Sequence, residues 1–234
     1  MKRLYEKNQL TFSLILIGVY VVTFSLADGI SAMLGTEKLI TGPFSAAMTI
    51  MLLLWLKRNG LTEQYGLGKV KMSYGRYLYF LPLLLLVSTN LWGGVTLRYS
   101  VPETVLYVIS MIGVGILEEL IFRGFLFKAL CKDNVKRAVI ISSLTFGIGH
   151  MVNLLNGAAF VPTLLQIVYA AAAGFLFTVI FLRSGSLKPC ILAHCAINSL
   201  SAFAVPRGEM MDMLAAGFLT VVSLVYAVWI LKKT

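Results

Sequence analysis

The chain has 234 residues, 59% of them hydrophobic and only 13% charged, with a formal net charge of +10. A soluble domain carries about 25% charged residues, so this composition excludes one and points to an integral membrane protein whose spans and short connections use the whole length. So basic a balance would suggest nucleic acid in a soluble protein; here the cations fall between apolar runs, and no nucleic-acid partner is expected.

Runs of roughly 20 apolar residues predict about eight membrane helices. Lys2, Arg3 and Lys7 precede the first, about Leu10 to Leu34, with Asp28 near its far end. It is too long for a signal peptide and lacks a small-residue cleavage site, so it reads as an uncleaved span. The second runs from about Leu39 to Leu56. The polar connection Lys57 to Arg76 contains Gly60, Gly66, Gly68 and Gly75, which predict a solvated loop rather than a long helix. The third covers about Tyr77 to Thr96, with Trp92 as an interfacial anchor. The fourth covers about Glu103 to Leu130, the fifth Val135 to Leu155, the sixth Pro162 to Leu182, the seventh Pro189 to Ala204 and the eighth Met211 to Leu231. Pro162 and Pro189 fit first helical turns, where a missing N–H costs nothing.

The fold expected is therefore all-α, an integral membrane bundle with both termini on one side. If that side is the cytoplasm, it holds Lys2, Arg3, Lys7, Lys57, Arg58, Lys69, Lys71, Arg76, Lys128, Lys132, Lys136, Arg137, Arg183, Lys188, Lys232 and Lys233. The other side holds Lys38, Arg98 and Arg207, so the count is sixteen against three. This positive-inside bias places both termini in the cytoplasm. Cys131, Cys190 and Cys195 form neither a CxxC pair nor a disulfide framework and read as free thiols.

The stretch Glu118-Glu119-Leu120-Ile121-Phe122-Arg123-Gly124 breaks this pattern. No charge occurs from Val105 to Leu117, and the next after Arg123 is Lys128. An ionisable group inside a span costs a few kcal/mol unless paired or hydrated, so it is a functional candidate by default. The two histidines, His150 and His194, also fall in expected spans. At a rise of 1.5 Å per residue, Glu118 lies about 15 Å from Lys128, His150 about 20 Å from Arg137, Asn198 about 15 Å from Lys188 and His194 about 9 Å from it. Four polar groups on three helices can thus meet in one cavity in the cytoplasmic half.

Spacing divides their roles. Glu119 and Arg123 stand at i,i+4 and can form an ion pair that locks the helix. Glu118 points about 100° away and has no obvious partner on its own helix, which makes it the better base. His194 and Asn198 share the i,i+4 spacing, as do Phe146 and His150, which lays an aromatic ring beside the imidazole. Cys195 adjoins His194, but neighbouring helix positions diverge by about 100°, which argues against a Cys–His nucleophile pair. Met111, Met210, Met211 and Met213 read as packing or lipid-facing residues. Asn90, Asn153, Asn156 and Gln166 fit either a cavity mouth or helix ends, and the small residues from Ala170 to Gly174 suit close helix packing.

Glu118-Glu119-x-x-x-Arg123, then Phe146-x-x-x-His150, then His194-x-x-x-Asn198, resembles the motif set of the CAAX protease and bacteriocin-processing (CPBP, or Abi) family of intramembrane endopeptidases. The resemblance covers about Glu118 to Asn198; the first three helices match in general character. It implies a single membrane-embedded protease domain over residues 1–234, with a motif core at about 103–204, cleaving membrane-associated peptides or proteins. Glu118 would activate a water that His150 shares, and His194 and Asn198 would donate to the oxyanion. Glu119–Arg123 would hold the helix. A carboxyl group held away from water is a usable base near neutrality, and donors in a low-dielectric cavity stabilise an oxyanion strongly.

The same residues suggest a rival chemistry, since Glu118, His150 and His194 make a His₂Glu zinc set. Zinc usually works beside a separate base, and only Glu119, held by Arg123, would remain. A dication near Arg123 would also be repelled at low dielectric. The expectation is therefore no required cofactor, with zinc as the alternative. The partners expected are membrane lipid and a membrane-associated peptide substrate. Compact loops point to a prokaryotic cell membrane, where prenylated CAAX substrates are not expected. A non-catalytic peptide-binding or bacteriocin self-immunity protein would not need both histidines and Glu118. A transporter or proton relay would need a broken-helix pair or inverted repeat, and neither is evident.

Overall fold

A computed structural model of the chain describes residues 1–69 and 80–233. These residues are overwhelmingly helical and contain no strand; an isolated antiparallel bridge joins Val95 to Ala204. In chain order the helices are α1 (Lys2–Lys7), α2 (Gln9–Met33), α3 (Thr41–Arg58), α4 (Pro82–Ser88), α5 (Val101–Glu118), α6 (Phe127–Leu130), α7 (Val135–Gly149), α8 (Val152–Leu155), α9 (Phe160–Ser184), α10 (Lys188–Leu200) and α11 (Glu209–Lys233).

Local chemistry sets several of these boundaries. Pro82 opens α4 at a position where its missing N–H costs nothing. The Asn134 side chain caps α7 by accepting from the Arg137 backbone N–H at 3.0 Å. Gly185, at φ +66°, ends α9 in the left-handed conformation that glycine adopts without strain.

Five helices are long and apolar enough to cross a bilayer: Gln9–Met33, Val101–Leu130, Val135–Leu155, Phe160–Ser184 and Glu209–Lys233. The remaining three expected spans differ. α3 has 18 residues and ends on Lys57 and Arg58, which lower its mean hydropathy. The expected third span begins outside the described residues; the part described is the short apolar stretch Pro82–Leu91. α10 has 13 residues, well short of the roughly 20 that a span needs. The described part of the loop after Arg58 consists of turns, as expected, but buries Tyr65 to 1% exposure. Its continuation through Arg76 lies outside the described residues.

The chain divides into two compact units, each assembled from separate stretches. Unit 1 comprises Met1–Val22, Glu119–Leu187 and Glu209–Thr234; unit 2 comprises Thr23–Glu118 and Lys188–Gly208. The divisions fall within α2, at the Glu118–Glu119 peptide bond, and at the starts of α10 and α11. In unit 1, α9 packs against α7 and α11. A Cβ on Gly147 would lie 2.7 Å from both Ala171 Cβ and the Ile167 carbonyl, so α7 and α9 approach as closely as only glycine permits. Lipid tails are as apolar as leucine, so close backbone packing of this kind replaces the hydrophobic effect in joining membrane helices. In unit 2, α5 packs against α3 and α10, and α4 against α10.

The fourth expected span is not a plain α-helix. Between α5 and α6, Glu119–Leu126 is π-helical, and all eight of its residues are buried. π segments are rare and concentrate at functional sites. The Val135–Leu155 stretch also departs from expectation: α7 ends at Gly149, and turns at His150 and Met151 separate it from α8.

Candidate active site

In unit 2, Glu118 at the end of α5 faces His194 on α10. The carboxylate Oε2 lies 3.4 Å from the imidazole Nε2, and the side chains are 13% and 9% exposed. The crossing of the two helices makes this possible. A Cβ on Gly115 would meet the Cys195 sulfur at 2.8 Å and its backbone nitrogen at 3.0 Å, and the Cys195 thiol reaches the Ile112 carbonyl at 3.4 Å. Cys195 is thus part of a helix seam next to His194.

Asn198 lies one turn beyond His194 and is half-buried. The helix end that carries it is tied down. The Asn90 amide donates to the Ile197 carbonyl at 2.6 Å, Ser201 Oγ donates to the Asn198 carbonyl at 2.5 Å, and the Tyr107 hydroxyl lies 2.9 Å from Ser201 Oγ. Of the polar residues that the sequence left open, Asn90 therefore tethers α10. In unit 1, Asn153 instead donates to Gln166 at 2.9 Å, and Asn156 closes α8.

The other motif residues lie in unit 1. Glu119 and Arg123, both fully buried, pair at 3.1 Å within the π segment. The guanidinium also lies over the Phe146 ring, 3.9 Å from its centroid, with Phe177 at 5.7 Å. A cation on an aromatic face is worth about 2 kcal/mol or more when desolvated. Gly174 on α9 leaves room for this stack, since a Cβ there would stand 3.1 Å from both Arg123 Nη2 and Phe146 Cδ1.

Phe146 continues the chain of contacts. Its ring meets Phe122 edge-on at 5.2 Å and His150 at 5.1 Å with an interplanar angle of 87°. His150 caps α7, with Nδ1 3.0 Å from the Phe146 carbonyl oxygen. A carbonyl only accepts, so this bond puts the proton on Nδ1 and leaves Nε2 of the neutral ring as the lone-pair nitrogen. That nitrogen is the one suited to take a proton from water.

Sequence reasoning missed Gly115, Tyr107, Ser201 and Phe177, which touch the motif residues or tether their helix. A glycine in the interior of an apolar helix, costly by about 1 kcal/mol relative to alanine, was the one available signal for Gly115. A zinc site needs three protein ligands with an open position. Among the described residues no group of three or more His, Cys, Asp or Glu side chains is placed to hold a metal ion.

The model of the family described as Rce1-like, type II CAAX prenyl endopeptidase, matches residues 100–200, a little under half of the chain. It is the family that the motifs resemble, and Glu118, Glu119, Arg123, Phe146, His150, His194 and Asn198 all lie within the match. No curated protein and no solved structure matches the chain significantly. Together with five helices of spanning length, the match identifies a multi-pass integral membrane protein.

Proposed function

We propose that the chain is an intramembrane endopeptidase that hydrolyses peptide bonds of membrane-associated peptides or proteins. The observation that carries this reading is the Glu118–His194 contact at 3.4 Å, formed by two mostly buried side chains inside the matched stretch. A carboxylate beside an imidazole, sheltered from bulk water, can move a proton and stabilise charge in the same place.

Glu118 takes a proton from water as the oxygen attacks the scissile carbonyl carbon; His150 has the part that the resemblance implies, accepting from water through Nε2. The tetrahedral oxyanion is held by the His194 imidazole N–H and the Asn198 amide. In the resting site that imidazole N–H faces Glu118 and orients the carboxylate. Glu118 then passes its proton to the departing nitrogen, and the carbon–nitrogen bond breaks to give an amine and a carboxylic acid, which loses its remaining proton to solvent. Glu119 and Arg123 take no part in proton transfer; their pair fixes the π segment behind Phe146.

The bundle has eight spans in this reading, with α3, the third expected span around Pro82–Leu91, and α10 completing the five long ones and both termini in the cytoplasm. All 234 residues serve one catalytic domain in a prokaryotic cell membrane. Water activated without a resident metal is the proposed chemistry, and elemental analysis of active, detergent-purified protein tests it. One zinc per chain, with activity lost on removal and restored on addition, would overturn that choice.

The test of the function itself is mass spectrometry of membrane peptides, with and without a lipidated C-terminal cysteine, incubated with purified wild type and Glu118→Ala. Fragments that appear with the wild type alone are expected. Peptides bound but left intact by both proteins would replace catalysis with binding.

A further inference from the structure

Several contacts bring helix termini of unit 1 to one end. Tyr5 of α1 packs edge-on against Phe12 at 5.5 Å and Phe125 at 6.4 Å. Lys128 Nζ lies 5.0 Å from the Phe181 centroid, and Arg183 Nη2 donates to the Leu231 carbonyl at 3.0 Å. The start of α1 and α2, the α6–α7 turn and the ends of α9 and α11 therefore share this end.

It is strongly cationic. α1 presents Lys2, Arg3 and Lys7, the α6–α7 turn presents Lys132, and the first turn of α7 presents Lys136 and Arg137, all exposed. Basic residues also close α9 and α11. The carboxylates here are Glu6, 3.9 Å from Lys2, and Asp133. Among the described residues, Arg3, Lys7, Lys132, Lys136 and Arg137 have no carboxylate within 4.0 Å.

We propose that this end of unit 1 is a built site for anionic phospholipid headgroups, with α1 as a fixed arm. All five helices of spanning length have a terminus here, so the cations lie at the membrane surface, where a lipid phosphodiester supplies the missing negative charge. A cation near an anionic bilayer contributes about 1 kcal/mol. What distinguishes a site from diffuse attraction is the arm. Tyr5 is 7% exposed, wedged between two phenylalanines, so the α1 cations are held in place rather than carried on a loose tail. Ordering them in advance lowers the entropy lost on binding.

The experiment places the full chain in nanodiscs of phosphatidylcholine alone or mixed with phosphatidylglycerol and reads two quantities. These are the thermal midpoint and the retention of phosphatidylglycerol in native mass spectrometry; neither requires activity. Phosphatidylglycerol raises the wild-type midpoint, and Lys69→Gln, an exposed cation of unit 2, keeps that rise. The Lys132→Gln/Lys136→Gln/Arg137→Gln variant loses most of it, with affinity falling about fivefold per cation removed. Tyr5→Ala removes no charge yet also lowers retention. If Tyr5→Ala lowers expression, Lys2→Gln/Arg3→Gln tests the same arm.

Equal midpoints in the two lipids overturn the site. Retention in both arm variants equal to wild type reduces it to diffuse charge and overturns it as a built site. Displacement of phosphatidylglycerol by a soluble acidic peptide reassigns the surface to peptide docking.

Discussion

Gly115 and Cys195 meet where α5 crosses α10, so closely that a methyl group on the glycine would press within 2.8 Å of the cysteine sulfur. Glu118 follows one turn later on α5, and His194 is the neighbour of Cys195. The crossing therefore sets the distance between carboxylate and imidazole. Gly115→Ala is expected to lower turnover by about 100-fold, the cost of a misplacement near 1 Å. The overpacking destabilises by about 1–3 kcal/mol. Adding Cys195→Ala removes the sulfur but not the backbone atoms, so the double variant regains part of both losses. Kinetics and thermal unfolding of the three proteins check this; a fully active Gly115→Ala would show that the crossing does not set the pair.

Glu118→Ala, His150→Ala and His194→Ala should each abolish turnover while the protein still inserts into membranes. Asn198→Ala should retain activity, because losing one oxyanion donor costs about 10²–10³ in rate. Single-turnover assays on protein normalised by membrane content separate the two classes. Equal loss in all four variants would remove Asn198 from the role of auxiliary donor.

Arg123→Ala should destabilise strongly, because it leaves the buried Glu119 carboxylate without its cation and empties the space over Phe146. Breaking a buried pair from one side costs about 3–5 kcal/mol. Gly174→Ala keeps both charges but crowds the guanidinium, and a smaller loss of about 1–3 kcal/mol is expected. Thermal unfolding in detergent ranks the variants. An Arg123→Ala protein as stable as wild type would refute the ion-pair role.

The proposed topology puts the loop after Arg58 in the cytoplasm. A cysteine at Gln64, in a background lacking Cys131 and Cys195, should label with an impermeant maleimide only after the cells are opened. Labelling in intact cells would invert the topology.

Helix positions were readable from the sequence wherever apolar runs were long. The expected Pro162–Leu182 and Met211–Leu231 became Phe160–Ser184 and Glu209–Lys233, because hydropathy alone decides such segments. For α10 the expected Pro189–Ala204 became an α-helix of 13 residues, Lys188–Leu200, followed by a 3₁₀ turn at Ser201–Phe203. Ser201 ends that helix by bonding back to the Asn198 carbonyl, a local choice that a hydropathy window averages away. The motif residues were legible because ionisable groups stand out in an apolar run. Their supports were not: Gly115 and Gly174 matter through the side chain they lack, and what occupies that space depends on helices far away in sequence. The π turn at Glu119–Leu126 was equally hidden, since neither proline nor an early glycine marks its start.

The acceptor that settles the proton position on His150 is the Phe146 carbonyl, a main-chain atom. Main-chain acceptors cannot be mutated away. In most enzymes that orient an imidazole with a carboxylate, one codon change in the partner scrambles the tautomer. Here any side chain at residue 146 that keeps α7 helical still offers the same oxygen. The proton preference is therefore inherited with the helix end rather than with a second residue. Related sequences need show no covariation at 146 for it to persist, and replacing the amide there with an ester, which weakens that oxygen as an acceptor, would be a direct way to disturb it.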